Sequence, residues 1–277
     1  MKKIGFIDYR IDGWHANNYP GWIKTAAEDM KLAYALTYAY ATENKPDGLT
    51  TEEWCQKFGA EKCETIDEIC QKSDVLLVLA PSNPETHLAF AKAVLPYGKP
   101  TYIDKTFAPD TATALQIFAL AEKHHTPLFS SSALRYATEL DDIKDAANII
   151  TCGGGSNAPE YIIHQAEMVI RLLKDEPVAF KAETQGTQIL FRARFAHGAN
   201  ASMIFARSLP FSICVEDTHG GEINTPVTSD FFGGLIRDIL RFYETGTPSF
   251  ETSETVNVMR LREGVLKALE TPEVWVR

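Results

Sequence analysis

The sequence predicts an α/β protein, with an N-terminal Rossmann-type, doubly wound parallel sheet and a C-terminal α/β domain carrying an open-faced, mostly antiparallel sheet. Three observations carry that prediction. Up to Phe129, short apolar runs alternate with helix-length stretches, as βαβ units require. Val75-Leu76-Leu77-Val78-Leu79 is an unbroken branched run of the kind buried on both faces of a parallel sheet. Beyond Ser130 the rhythm changes to period two: Ile189, Phe191, Ala193 and Phe195 fall on one face, Leu190, Arg192 and Arg194 on the other.

Taken in order, Ile4–Ile7 has the length and apolarity of a first buried strand, followed by a helix near Tyr19–Lys31. A strand near Ala35–Ala41, a helix near Thr51–Phe58 and a short acidic helix near Ile66–Gln71 lead to the Val75–Leu79 strand. Pro84–Leu95 reads as helix, Thr101–Ile103 as strand, Asp110–His124 as helix and Pro127–Phe129 as the last strand of this set. Residues 1–129 are therefore expected to form the dinucleotide-binding-type domain, and 130–277 a substrate-binding and oligomerisation domain. In the second segment Ile149–Thr151 precedes a Gly153–Ser156 run, and Asn157 suits the cap of a helix over Pro159–Leu173. Ala182–Phe195 and Ala201–Val215 are the alternating segments, and helices near Gly234–Tyr243 and Ser253–Leu269 close the chain.

With 277 residues the chain can bury a full core as one large or two ordinary domains. A net charge of −10 without a block of like charge argues against nucleic acid or an anionic membrane surface as partner, which leaves a small-molecule site. The apolar run after Lys2 and Lys3 is cut by Asp8 and Arg10 far short of a signal-peptide core, and no other stretch has the length to span a bilayer. Five cysteines with no C-x-x-C spacing suggest neither a disulfide framework nor a zinc site, so a cytoplasmic protein is expected.

The segment after the first strand carries the most chemistry. A G-x-G-x-x-G register counted from its end lands on Asp8, Arg10 and Gly13, so only the third glycine remains. The helix–strand packing role usual for that glycine is expected of Gly13. An Asp8 carboxylate where a phosphate belongs repels it, while Arg10 offsets that charge or clamps the phosphates itself. Glu43 and Asn44, at the end of the second strand, stand where an acidic residue holds an adenosine ribose. Asp8, Asp12 and His15 form too thin an oxygen-rich set to count as metal ligands, and no metal is expected. The Gly153–Ser156 run reads first as a turn of permissive residues and second as an anion cradle. Trp14, Tyr19 and Trp22 either wall the turn with rings or pack the first helix.

Two further segments bring a family into view. Ala80-Pro81-Ser82-Asn83-Pro84-Glu85-Thr86-His87 and Gly98–Thr106, the latter with Asp104-Lys105-Thr106 in place of Glu-Lys-Pro, resemble the Gfo/Idh/MocA oxidoreductases. Ile163-His164-Gln165-Ala166-Glu167 is similar to that family's His-x-x-Asp helix, with glutamate for aspartate, and Gly246-Thr247-Pro248 and Ser253-Glu254 are similar to its last loop and helix. The resemblance implies a Rossmann domain, a second domain with an open-faced sheet, and a sugar or polyol bound between them. It further implies that Lys105 meets the substrate hydroxyl and the nicotinamide and that His164 is the acid/base.

The residues themselves are compatible with those roles. A lysine at the carboxyl end of a parallel strand sits where open sheets bind ligands, though a solvated surface lysine fits the position too. His164 and Glu167 lie three apart on a helix and project from one face, so the carboxylate is expected to orient the ring as part of the catalytic set. A histidine bonded to backbone in the core is the plainer alternative. Pro81, Asn83, His87 and Asp104 are expected cofactor contacts together with Asp8, Arg10, Gly13 and Glu43, although Asn83 and His87 equally suit the capping of the helix that follows.

Two functions follow. One is an NAD(P)-dependent oxidoreductase that moves hydride between the cofactor, NAD or NADP, and a carbohydrate-like or polyol CH–OH group. The other is a cofactor-free relative that binds a ligand or regulates. The mixed apolar and basic outer face of the C-terminal sheet, with Leu190, Arg192, Arg194 and Cys214, is expected to join copies into a homo-oligomer.

Overall fold

The computed structural model describes residues 1–277. In chain order the elements are β1 (Lys2–Asp8), α1 (Trp14–Met30), β2 (Tyr34–Ala41), α2 (Thr51–Phe58), β3 (Glu61–Lys62), α3 (Ile66–Lys72), β4 (Val75–Val78), α4 (His87–Val94), β5 (Thr101–Ile103), α5 (Thr111–Lys123) and β6 (Leu128–Phe129). They continue as β7 (Ala146–Gly153), α6 (Ala158–Leu173), β8 (Pro177–Gln185), β9 (Gln188–Phe195), β10 (Asn200–Phe205), β11 (Ser212–Asp217), β12 (Glu222–Pro226), α7 (Phe231–Thr245) and α8 (Thr252–Lys267). No helix is long and apolar enough to cross a membrane.

The chain divides into two compact units, Met1–Ser131 with Phe232–Phe250, and Ser132–Phe231 with Glu251–Arg277. The first crossing lies beside the expected 129/130 boundary. The second segment, expected to be continuous, instead sends most of α7 back to the first unit. Local periodicity carries no signal for that return, because it is decided by which sheet buries the apolar stripe of α7. Tyr243 on this helix donates to the Leu76 carbonyl of β4 at 2.8 Å, and Phe242 packs edge-on against Phe129 at 4.7 Å.

Unit one holds a six-stranded, wholly parallel sheet in the order β3-β2-β1-β4-β5-β6. Its central strands are apolar on both faces, and Ile4, Phe6, Ile7, Leu76, Leu77 and Val78 are fully buried. The helices begin at side-chain caps that the sequence writes explicitly. Thr50 and Glu53 close a reciprocal capping box on α2, Thr65 accepts from Glu68 N on α3 at 3.1 Å, and Asp110 accepts from Thr113 N on α5 at 2.6 Å. α1 starts at Trp14, earlier than expected, because Gly13 is its N-cap and Pro20 lies inside the helix rather than before it.

Close packing of strand and helix in this unit is assigned to a different glycine than expected. A Cβ on Gly5 would stand 2.3 Å from Ser73 Oγ and 2.9 Å from Ile69 Cγ1, so β1 and the end of α3 touch backbone to side chain. A Cβ on Gly13 would meet only the Arg10 carbonyl oxygen, at 3.9 Å. Gly13 therefore leaves the N-terminus of α1 open rather than drawing the helix onto the strand.

Unit two holds a mixed six-stranded sheet, β12-β11-β7-β10-β9-β8, antiparallel except where β10 pairs parallel with β7. The two long alternating segments each prove to be broken. Gly186, at φ +62°, turns the chain between β8 and β9, and the second segment splits into β10 and β11 around Pro210. Alternation on either side of a two-residue turn keeps its phase, which is why one long strand and a hairpin read alike. Phe191, Ala193, Phe195, Met203, Phe205 and Val215 face the buried layer, which α6 and α8 cover. The approach of α8 is tight: a Cβ on Gly264 would stand 2.3 Å from the Phe180 ring. The opposite face bears Lys181, Arg192, Arg194, Ile150, Cys152, Cys214 and Glu216.

The Gly153–Gly155 run serves packing. A Cβ on Gly153 would meet the Phe211 ring at 2.4 Å, one on Gly154 the Ala206 carbonyl at 2.4 Å, and one on Gly155 the Tyr161 ring at 2.1 Å. The Gly155 N–H is bonded to the Arg207 carbonyl, so this segment is a close crossing of chains and not an anion cradle.

Gly5→Ala is expected to destabilise the protein by about 1–3 kcal/mol through overpacking, and Gly13→Ala by less than about 1 kcal/mol. Urea unfolding followed by circular dichroism measures both, and equal losses would place the tight contact elsewhere.

Candidate functional site

The carboxyl ends of β1 and β2 place Asp8, Arg10 and Glu43 together. Asp8 is buried, and its Oδ1 accepts the backbone N–H groups of Arg10 at 3.2 Å and Ala80 at 3.1 Å. Burial pushes its carboxyl up to about 7, against those backbone bonds and with the help of the nearby Asp104 charge. Arg10 turns toward Glu43, its Nε donating to Glu43 Oε1 at 2.7 Å, and its guanidinium lies 5.4 Å from the Tyr9 ring centre. Bonds from Tyr9 and Arg10 hold the Glu43 carboxyl below its ordinary range. The phosphate clamp and the ribose acceptor expected from the sequence are thus each other's partner.

Beside these strands the N-terminus of α1 is bare. Gly13 has no side chain to cap it, and no acidic residue stands in the first turn. Free N–H groups at a helix start, under the positive end of the dipole, are the chemistry that holds a phosphate, so a dinucleotide pyrophosphate fits this end of the helix. Asp12, considered above with Asp8 and His15, is spent elsewhere, accepting from Asn17 at 2.8 Å and from the Leu49 N–H at 2.9 Å.

At the end of β5, Asp104 is fully buried at the centre of a polar cluster. One carboxylate oxygen pairs with His15 Nδ1, and the other accepts the Lys105 N–H at 2.8 Å and the Tyr19 hydroxyl at 3.3 Å. Burial alone raises a carboxyl, but the His15 ring and then Lys105 outweigh it and hold Asp104 below its ordinary range. The His15 ring stacks on Tyr19 with centres 5.2 Å apart. Lys105 itself is 7 % exposed. It is a buried lysine beside a buried carboxylate, not the solvated surface lysine that was the alternative.

His87 departs from its expected place among the cofactor contacts. Its ring is fully buried, with Nδ1 3.0 Å from the Phe107 carbonyl and Nε2 2.6 Å from the Leu79 carbonyl. The ring lies between the turn after β4 and the loop after β5, and although burial lowers its affinity for a proton, the two carbonyls favour the protonated form, since a neutral ring donates to only one of them. Asn83 lies at that turn, its amide donating to Glu85 Oε1 at 3.0 Å with no cap on the helical turn Pro84–Thr86. Pro81 follows Ala80, whose φ of +60° bends the chain as it leaves β4.

In unit two, α6 carries His164 and Glu167 on one side, as their spacing requires, but they do not pair. Glu167 is buried, with Oε1 accepting the Ser132 N–H at 2.8 Å and Oε2 accepting Arg135 Nε at 3.1 Å. Arg135 also donates twice to Glu254 Oε2 of α8, at 2.9 and 2.5 Å. Burial raises the Glu167 carboxyl although Arg135 opposes it. Glu167, expected in the catalytic set, has both carboxylate oxygens engaged by Ser132 and Arg135 rather than by His164. His164 is oriented by Ser132, whose Oγ lies 2.5 Å from Nδ1, while the Tyr161 and Phe211 rings meet the imidazole edge-on at 5.6 and 5.9 Å.

His15, Ser132 and Arg135 are the polar residues that sequence reasoning did not assign to these clusters. His15 lies 89 residues from its partner Asp104, and Ser132 lies 32 from His164. Nothing local joins them, and only the serine run Ser130–Ser132 directly after the last parallel strand hinted at a polar end there.

Comparison with known proteins bears on this geometry. The family model described as the Gfo/Idh/MocA oxidoreductase family, NAD-binding Rossmann fold, matches residues 36–132. Over those residues the chain is similar to the Gfo/Idh/MocA family. A 57-residue stretch, 21% of the chain, is 37% identical to an uncharacterised oxidoreductase, YhhX, of Escherichia coli, and spans 16% of that protein. The whole chain superposes on myo-inositol dehydrogenase from Lactobacillus casei, solved with NAD(H) and myo-inositol, at a TM-score of 0.82 and 11% identity, covering 100% of this chain and 97% of that one. A probable dehydrogenase from Thermotoga maritima gives 0.79 at 15% identity over 99% and 98% of the two chains. At such identities the likeness shows a shared fold, and it confirms the α/β architecture with its parallel Rossmann sheet and second mixed sheet. The family match supports an NAD-binding oxidoreductase.

Asp8 couples the β1 end to pH. Its folded-state value is raised to about 7 from 3.8, so the stability linked to its proton is complete below 3.8 and is lost as pH rises through about 7. Asp8→Asn is expected to melt with the wild type near pH 4 and to be more stable by about 1–3 kcal/mol at pH 8. Thermal melts across that range decide it, and a constant difference would mean that the Asp8 carboxyl is not raised.

Proposed function

We propose that the protein is an NAD(P)-dependent oxidoreductase acting on a CH–OH group of a sugar-like or polyol substrate. The observation that carries this reading is Lys105, buried at the carboxyl end of β5 beside Asp104, whose carboxyl the His15 ring and the nearby Lys105 charge hold below its ordinary range. A cation kept there without water suits an oxygen that gains negative charge as its proton leaves. His164, its ring fixed by Ser132, is the second polar group of the reading, expected at the substrate oxygen. The bare start of α1 and Gly13 hold the cofactor phosphates, with Arg10 and Glu43 at the adenosine end and Pro81, Asn83 and Asp104 along the strand ends. When bound, the nicotinamide exchanges hydride with the carbinol carbon. The inositol ligand of the Lactobacillus casei protein, whose fold this chain shares, makes a polyol the first substrate class to try.

One observation favours a second reading, a cofactor-free binding or regulatory protein. Asp8 brings a carboxylate into the β1 turn and engages the Arg10 N–H, at the position whose usual glycine makes the tight turn beside the pyrophosphate. Ionised, it opposes an incoming anion.

The open face of the second sheet is the surface for self-association. Arg192 and Arg194 on β9 lie toward one edge, Glu216 on β11 and Glu222 on β12 toward the other, and Ile150 and Ile204 lie on the strands between. A two-fold pairing of such faces sets basic edge on acidic edge. Five free cysteines agree with a reducing, cytoplasmic setting.

Fluorescence titration with NADH and NADPH is expected to show micromolar binding of at least one, tightened roughly tenfold by Asp8→Asn. No binding at millimolar cofactor leaves the second reading. Lys105→Met, which keeps the apolar stem, is expected to lower polyol turnover by about 10²–10⁴-fold with cofactor affinity retained. Light scattering is expected to show a dimer or larger assembly that Arg192→Glu with Arg194→Glu dissociates, and a monomeric wild type refutes the sheet-face association.

A further inference from the structure

The hydroxyl of Ser132 has one hydrogen-bond partner, His164 Nδ1, at 2.5 Å, and Ser132 is fully buried. Its other polar groups are engaged: the N–H with Glu167 Oε1 at 2.8 Å and the carbonyl with the Arg135 N–H at 3.2 Å. Glu167 in turn is tied to Arg135, and Arg135 to Glu254, so the serine backbone is clamped by a buried ionic chain. The hydroxyl proton therefore has a single place to go. If Nδ1 carried a hydrogen, it would donate to Oγ and the hydroxyl proton would be left buried without an acceptor, which costs about 1–3 kcal/mol. With Nδ1 as acceptor the pair is fully satisfied, and a neutral imidazole then bears its hydrogen on Nε2.

We infer that Ser132 is a positioning residue that locks neutral His164 in its Nε2–H form, so that His164 presents a hydrogen-bond donor to a carbonyl-type oxygen of the ligand. This rests on the oxidoreductase reading for the ligand and deepens it, dividing the work of the two proposed residues. In the locked form Nε2 has no lone pair with which to take a proton, so proton removal from a hydroxyl does not fall to neutral His164. A neutral Nε2–H stabilises charge growing on a carbonyl oxygen as hydride arrives at its carbon, and the proton that turns the resulting alkoxide into the hydroxyl falls to the Lys105 ammonium rather than to the ring. A carboxylate partner at Nδ1, expected from Glu167, imposes the reverse: it accepts from Nδ1 and leaves Nε2 as the base. The exchange of a carboxylate for a hydroxyl at this one contact changes what the ring offers, from acceptor to donor.

The test is long-range ¹⁵N–¹H NMR of the histidine side chains in the intact wild-type protein without added ligand, with His164 assigned by the signal lost in His164→Gln. Under neutral-imidazole conditions the wild type is expected to show an unprotonated Nδ1 and a protonated Nε2 on His164. Ser132→Ala is expected to collapse this toward the averaged shifts of a free imidazole, and Ser132→Thr, which keeps the hydroxyl, to restore it. A wild-type spectrum with the hydrogen on Nδ1 overturns the inference outright, and so does a Ser132→Ala spectrum identical to the wild type. Should Ser132→Ala fail to fold, the wild-type and Ser132→Thr spectra decide the matter. The readout uses neither cofactor nor substrate. Absence of NADH binding in the titration above would refute the oxidoreductase reading and leave the tautomer standing, while a Nδ1–H spectrum would do the opposite.

Discussion

The polar architecture of the first unit depends on one buried charge. Asp104 ends β5 with no water to solvate it, and a carboxylate in that position persists only if paired. His15 supplies one partner from the first turn of α1 and Lys105 another from the next residue of the chain. The requirement runs both ways, since Lys105 is equally buried. Sheet and helix are thereby registered against each other by electrostatics at the carboxyl end of the sheet, where hydrophobic contact alone permits sliding.

The same end of the sheet contains a second carboxyl in the opposite condition. Asp8 lacks a cation. Arg10, its near neighbour in sequence, is drawn off to Glu43, and Asp8 has only backbone N–H groups to soften its burial. Two buried acids close enough to feel each other, one ionised and one poised near neutrality, make the β1 turn sensitive to pH in a way that a glycine there would not be. An aspartate at the first position of the fingerprint register alters more than space, since it puts a titrating group where a glycine offers only neutral backbone.

In the second unit the controlling element is again ionic, but its product is geometry. Glu167, Arg135 and Glu254 form a buried chain that links the segment after Ser132 to α6 and α8. A buried network of this sort adds little net stability against well-packed apolar residues, and its use lies in specifying one arrangement. Here that arrangement delivers a serine hydroxyl to His164 and takes the carboxylate away from it.

Much of this was legible in the order of residues. The buried β4 run, the capping signatures at Thr50, Thr65 and Asp110, the change of period after Ser130 and the spacing of the family segments are local features, and local propensity with periodicity determined them. Lys105 and His164 were singled out in the same way, through segments whose residues are adjacent in the chain. What only the tertiary structure decided is pairing over distance. That His164 meets a serine hydroxyl and not the Glu167 carboxylate, why Arg10 and Glu43 meet, that Gly5 rather than Gly13 makes the close contact and that α7 returns to the first unit all depend on residues tens to hundreds of positions apart. Hairpins hidden inside one alternating pattern belong to the same class, because a tight turn preserves the phase of alternation. Sequence therefore determined which groups could ionise, cap or pack, and the folded chain, by making burial mandatory for some of them, decided which of those groups became partners.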